Sequence, residues 1–167
     1  MRKELEDVVF LLQRYKGAVR RLFAVLGRVV EIKLEGNKIV AVAPNTKSLV
    51  RCDHIAHHPN PFEKLPVLQD ALQVVKAVER AFETLDHEEA FVLFHRYVDH
   101  DFERISTIKE LLESDAGMIF VGKSYKQIAT LLGKTEKECK EIAAKALERV
   151  RECIASLLFA TKEKSAR

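Results

Sequence analysis

Residues 124–151 read Ser-Tyr-Lys-Gln-Ile-Ala-Thr-Leu-Leu-Gly-Lys-Thr-Glu-Lys-Glu-Cys-Lys-Glu-Ile-Ala-Ala-Lys-Ala-Leu-Glu-Arg-Val-Arg, and this stretch decides the fold of the C-terminal part. Ser124 stands where a helix N-cap is expected, with Gln127 three positions later, and Ile128, Ala129, Leu131 and Leu132 follow as the apolar run. Thr135 and Glu138 repeat the pattern ahead of Cys139, Ile142, Ala143, Ala146, Leu147 and Val150. In such a box the N-cap hydroxyl accepts from the N3 amide while the N3 side chain returns to the N-cap amide, so each box starts a helix. Gly133-Lys134 separates the two, and a glycine there fits a backbone position of positive φ. Ala129 is small enough for two crossing helices to approach closely. The pattern predicts a helix-turn-helix over residues 124–153, and in DNA-binding versions of this motif the second helix enters the major groove.

Working outward, Val67, Leu68, Ala71, Leu72, Val75, Val78, Ala81, Phe82 and Leu85 mark a long helix ending near Asp86. Asp86 with Glu89 forms another capping box, opening a helix with Phe91, Phe94 and Tyr97 that ends in Asp99-His100-Asp101. Thr107 and Glu110 begin a further expected helix through Leu112 to about Gly117, and residues 118–121 form an apolar connector. At the other end of the chain, residues 2–26 carry a helical stripe of Leu5, Val8, Val9, Leu12, Tyr15, Val19, Leu22, Phe23 and Leu26. Arg14, Lys16, Arg20 and Arg21 lie largely off that stripe, and Gly27 is placed to stop the helix. Residues 30–35 then alternate apolar and charged, Gly36-Asn37 supplies a tight turn, and residues 38–42 are β-prone, which together predict a hairpin. All four prolines fall within residues 44–66, which read as a connector.

The expected architecture is therefore mainly α: an N-terminal helix plus β-hairpin unit with linker over residues 1–58, then a helical domain over residues 59–160 that ends in the helix-turn-helix, then a tail over 161–167. Composition agrees. The 167 residues are 47% hydrophobic and 32% charged with only six glycines, which favours helices over a sandwich or barrel and excludes a disordered chain. No apolar run approaches the ~20 residues of a membrane span. The start, Met1-Arg2-Lys3-Glu4, is unlike a signal peptide, and three cysteines without paired spacing argue against a disulfide framework. The expectation is a cytoplasmic protein with no membrane partner.

The same stretch, residues 124–151, resembles the helix-turn-helix of region 4 of bacterial sigma factors, with an ungapped correspondence at Ile128, Gly133, Thr135, Ile142, Ala144-Lys145-Ala146-Leu147 and Arg151. Upstream, the helix ending near Leu85 followed by Glu88-Glu89 and Arg96-Tyr97-Val98-Asp99 is similar to phage-encoded transcriptional regulators of the ArpU/RinA type. The resemblance spans about residues 65–155 and implies a sigma-like recognition helix, duplex DNA as ligand and RNA polymerase as a further partner. It places Glu136, Lys137, Glu138, Lys140 and Glu141 against DNA, Lys137 and Lys140 facing bases or phosphates and Glu141 a base, with Lys145 toward phosphate. Tyr125, Lys126, Lys134 and Arg149 join as groups facing the DNA backbone, with Lys123 and Arg151 as further cations able to reach it. Three of the six recognition positions are acidic, where the family carries Arg, Gln or Lys. Glu can accept from cytosine N4, but acids on this helix oppose the electrostatic attraction behind most non-specific affinity.

Other signals are weaker. Cys52, His54, His57 and His58 are zinc-favoured side chains in one segment, yet their spacing is too tight for a finger, so no metal or other cofactor is expected. No phosphate-binding glycine loop, nucleophile elbow or His-Glu-x-x-His run occurs, and Cys139 lies on the apolar stripe of its helix, so an enzyme is not expected. The N-terminal stripe is wider than one hairpin can cover, which predicts a homo-oligomer through that helix. Three functions fit: a DNA-binding transcriptional regulator, a protein-interaction module mimicking sigma region 4 on polymerase, or a small terminase-like DNA-packaging subunit. A net charge of +3 (28 Lys+Arg against 25 Asp+Glu) does not choose among them.

Overall fold

The structure is a computed structural model and describes residues 3–25, 29–42, 49–51, 66–100 and 122–165. The chain is mainly helical, with an N-terminal helix, an antiparallel hairpin and then further helices, as the sequence pattern implies.

Helix α1, Lys3–Val25, buries Val8, Val9, Leu12, Tyr15, Ala18, Val19, Leu22 and Phe23, the i, i+3, i+4 face expected of an amphipathic helix. Strands β1 (Glu31–Glu35) and β2 (Lys38–Val42) pair antiparallel, with Ile32 opposite Ala41 and Leu34 opposite Ile39. Gly36 takes φ 65°, the left-handed conformation that this two-residue turn needs. A third strand, β3 (Leu49–Arg51), pairs antiparallel with the free edge of β2. It lies inside the stretch read from sequence as a plain connector. Three residues are too few to show an alternation, and the strand is defined by its pairing alone.

Helix α2, Pro66–Glu83, starts on a proline, the residue best suited to a first helical position because its missing N–H has no intrahelical acceptor. It ends before Asp86, where the N–H groups of Thr84 and Leu85 tighten onto the carbonyls of Ala81 and Phe82, each at 3.1 Å. Asn37 at the hairpin tip donates through Nδ2 to the Leu85 carbonyl at 3.1 Å, docking the sheet on this corner. Helix α3, His87–Leu93, begins at Asp86 with both capping-box bonds formed: Glu89 N–H to Asp86 at 2.8 Å, and Asp86 N–H to Glu89 at 3.2 Å. The bond from the Glu89 amide holds the Asp86 carboxyl below the usual aspartate range.

Sequence periodicity treats the next residues as more α-helix. Instead the chain widens into a π-helical turn, Phe94–Val98, closed by the Asp99 N–H on the Phe94 carbonyl at 2.7 Å. The wider turn buries Phe94, Tyr97 and Val98 together. After residues 101–121, which contain the helix expected near Thr107–Glu110 and lie outside the described residues, come α4 (Tyr125–Leu132) and α5 (Glu136–Ser165). Helix α5 continues past 153 and through 161–165, read from sequence as tail. Residues 151–165 contain neither glycine nor proline to stop it.

Buried side chains of α1, the sheet, α2, α3, α4 and α5 belong to one hydrophobic cluster. The boundary expected at 58/59 falls outside the described residues, and the elements on either side of it share this core. Helix α1 packs most extensively on α2 and also touches α5 and the π-helical turn. Its broad apolar stripe is thereby covered within the chain, which removes the stripe-width argument for a homo-oligomer. Three of its basic residues are likewise engaged, Arg20 through Glu31 at 3.7 Å. Lys16, buried rather than surface-facing, reaches Asp99 at 3.1 Å and Glu31 at 3.9 Å, and Arg14 pairs with Asp70 at 3.0 Å. No helix among the described residues is long and apolar enough to cross a membrane.

Candidate nucleic-acid interface

The C-terminal pair of helices is built by local bonds legible in sequence. Ser124 Oγ accepts from the Gln127 N–H at 3.2 Å and Gln127 Oε1 accepts from the Ser124 N–H at 3.0 Å, starting α4. Gly133 ends it at φ 67° and ψ 34°, and the Lys134 N–H donates to the Ala129 carbonyl at 3.0 Å, a C-terminal closure that needs a left-handed residue. Thr135 Oγ1 then accepts from the Glu138 N–H at 3.1 Å to begin α5. Ile128 and Ala129 on α4, and Cys139, Ala143, Ala146, Leu147 and Val150 on α5, are buried. Burial, with the Glu138 carboxylate nearby, pushes the Cys139 thiol up, away from a reactive thiolate.

The opposite face of α5 is open. Glu136, Lys137, Lys140, Glu141 and Lys145 are all exposed, as is Lys126 on α4. With Glu138, which is exposed as well, seven of the ten residues that the resemblance places on the recognition helix or facing the DNA backbone stand in solvent on two adjoining helices.

The other three are engaged in the fold. Tyr125 is half-buried, its hydroxyl 3.2 Å from that of Tyr97, and the Arg96 guanidinium lies 4.4 Å from its ring centroid. Burial and the neighbouring Tyr97 raise its phenol well above the ordinary tyrosine value, so it remains neutral. Lys134 meets Glu88 at 3.4 Å. Arg149 donates to Glu89 Oε1 at 2.8 Å, and that carboxylate is nearly inaccessible, with 4% of its side chain exposed. Glu88 and Glu89 are the acidic first turn of α3, so this turn holds two of the cations assigned from sequence to DNA. Arg151 is paired to Glu148 at 2.9 Å.

One residue that sequence reasoning did not assign belongs here. Arg96, in the π-helical turn, donates to the Lys123 carbonyl at 3.3 Å while covering Tyr125. Nothing local in the sequence signals this contact, which spans 27 positions and depends on the widened turn. The neighbouring His95 is packed by Phe91 and Phe94, and burial together with the Lys123 charge lowers its pKa from the ordinary histidine value.

Among the described residues no group of three His, Cys, Asp or Glu side chains is arranged to hold a metal, and Cys52, His54, His57 and His58 lie outside them. Comparison with protein-family models, with curated proteins and with solved structures found no match.

Proposed function

We propose that the protein is a DNA-binding transcriptional regulator of the phage type. In this reading the first turns of α5 enter the major groove and a separate surface contacts RNA polymerase. The observation that carries the reading is the division of α5: one face is buried against the core, and the other presents Glu136, Lys137, Lys140, Glu141 and Lys145 to solvent directly after a glycine turn. A helix held in this way by a second helix can be inserted in a groove without unfolding anything. Lys137 and Glu141, one turn apart, face base edges, and Lys126 and Lys145 face phosphates. The test is fluorescence anisotropy with duplexes selected from a random pool. Lys137→Glu combined with Lys140→Glu abolishes specific binding, and unchanged affinity of this variant across a salt series refutes the assignment.

A second reading, a protein-interaction module that mimics sigma region 4 on polymerase, draws support from a different observation. With Lys134 and Arg149 paired to α3, the exposed part of the second helix alternates Lys with Glu136, Glu138 and Glu141. Binding to polymerase without any binding to duplex DNA favours this reading over the first.

A further inference from the structure

The junction between the π-helical turn and α4 gathers positive charge from three places in the chain. The Arg96 guanidinium covers the Tyr125 ring at 4.4 Å, and the Lys140 ammonium lies 5.9 Å from the centroid of the same ring. Lys123 is fixed beside them by its backbone. Its N–H donates to the His95 carbonyl at 2.9 Å and its carbonyl accepts from Arg96 at 3.3 Å. Gly122 makes this seating possible, since a Cβ there would lie 2.3 Å from the Arg96 carbonyl oxygen. Lys126 follows Tyr125 in the first turn of α4 and is exposed.

The cations of this region divide into two sets. Lys134, Arg149 and Arg151 each have a carboxylate partner. Lys123, Lys126 and Lys140 form no ion pair among the described residues, nor do Lys137 and Lys145 elsewhere on α5; of these five, Lys140 lies by the Tyr125 ring, and Lys123 and Lys126 flank Tyr125 in the chain. Like charges assembled around a neutral aromatic ring repel one another, and the repulsion is relieved when an anion settles among them. The Tyr125 hydroxyl is turned to Tyr97, so the ring serves as a floor rather than a ligand.

We infer that this junction is a phosphate-binding anchor, in which Lys123, Lys126 and Lys140 receive phosphodiester oxygens of duplex DNA while Arg96 holds Tyr125 and the Lys123 backbone in position. The inference rests on the DNA-binding reading and deepens it. It assigns Lys140 to the backbone rather than to base edges, gives Lys123 a fixed place beside it, and takes Lys134 and Arg149 out of the phosphate contacts. Phosphate is also found as a free ion, so the experiment separates the two sources.

The full chain is titrated into labelled duplex by anisotropy over a range of salt, for the unmodified protein and for Lys123→Gln, Lys140→Gln and Lys76→Gln. The last removes an equal charge from the exposed face of α2. Inorganic phosphate binding is followed in parallel by NMR shifts. Each of the first two changes makes the slope of log K against log salt shallower by about 1, on every duplex sequence alike, and Lys76→Gln leaves it unchanged. If the unmodified protein binds duplex and Lys123→Gln and Lys140→Gln keep its slope, the anchor is refuted and the DNA reading stands. Phosphate-induced shifts at Lys123 and Lys140 without duplex binding support the anchor for free phosphate and overturn the DNA reading. Binding of neither overturns both.

Discussion

Replacing Arg149 with Gln separates two roles that the same residue can have. Read from sequence, Arg149 is a phosphate contact on the second helix. In the structure it neutralises Glu89, whose side chain is 4% exposed and whose Oε1 also accepts the Asp86 N–H at 3.2 Å. Glu89 Oε2 is buried without a partner among the described residues, so the carboxylate depends on Oε1 for its compensation. Removing one member of a fully buried pair costs about 3–5 kcal/mol because a charge is left behind uncompensated. The Arg149 side chain is 40% exposed, so it surrenders part of its hydration only, and the cost is reduced to about 2 kcal/mol. For a chain of this length that is a fall in Tm of about 4–8 °C. Urea unfolding at neutral pH measures it directly, and a double-mutant cycle with Glu89→Gln isolates the pairwise coupling, expected at about 1–2 kcal/mol. A loss below about 0.5 kcal/mol, the scale of an ordinary surface substitution, refutes the reasoning. So does a salt slope for DNA that becomes shallower by about 1 while stability is unchanged, because that is the signature of a phosphate contact.

Two glycines give predictions of opposite sign. Gly122→Ala forces the chain off the Arg96 carbonyl, a backbone atom that cannot turn aside, and should destabilise by about 1–3 kcal/mol in the same urea experiment. Gly17→Ala, in the middle of α1, places its Cβ where nothing beyond its chain neighbours and the backbone of its own helical turns lies within 4 Å, so the higher helix propensity of alanine should raise stability by about 0.5–1 kcal/mol. A neutral result at Gly122 or a loss at Gly17 contradicts the packing described.

The features that were legible in the sequence are those made by residues close together in the chain. Ser124 with Gln127 and Asp86 with Glu89 are bonds between positions i and i+3, so residue identity at two nearby sites suffices to announce them. Gly133 was legible because few residues tolerate a left-handed backbone, and the Gly36-Asn37 turn for the same reason. The candidate site was legible only in part. Exposure of Lys126, Lys137, Lys140 and Lys145 follows from helical periodicity, whereas the pairing of Lys134 and Arg149 does not, because their partners sit on a helix dozens of positions upstream.

By itself, then, the sequence determined the helical class, the hairpin, the capped helix pair after residue 123 and the apolar face of each helix, all consequences of short-range bonding and of period. Tertiary structure alone decided how those faces were shared and which charges were consumed. It covered the wide stripe of α1 with α2, α5 and the π-helical turn, drew Lys16 inward to Asp99, and brought Arg96 onto Tyr125. It also joined Arg149 to Glu89 across 60 positions. The physical reason is the range of the forces. Capping and turn preferences are settled within a few residues of chain. An ion pair or a packed ring depends on which surfaces the shared core brings together, and no local pattern carries that information.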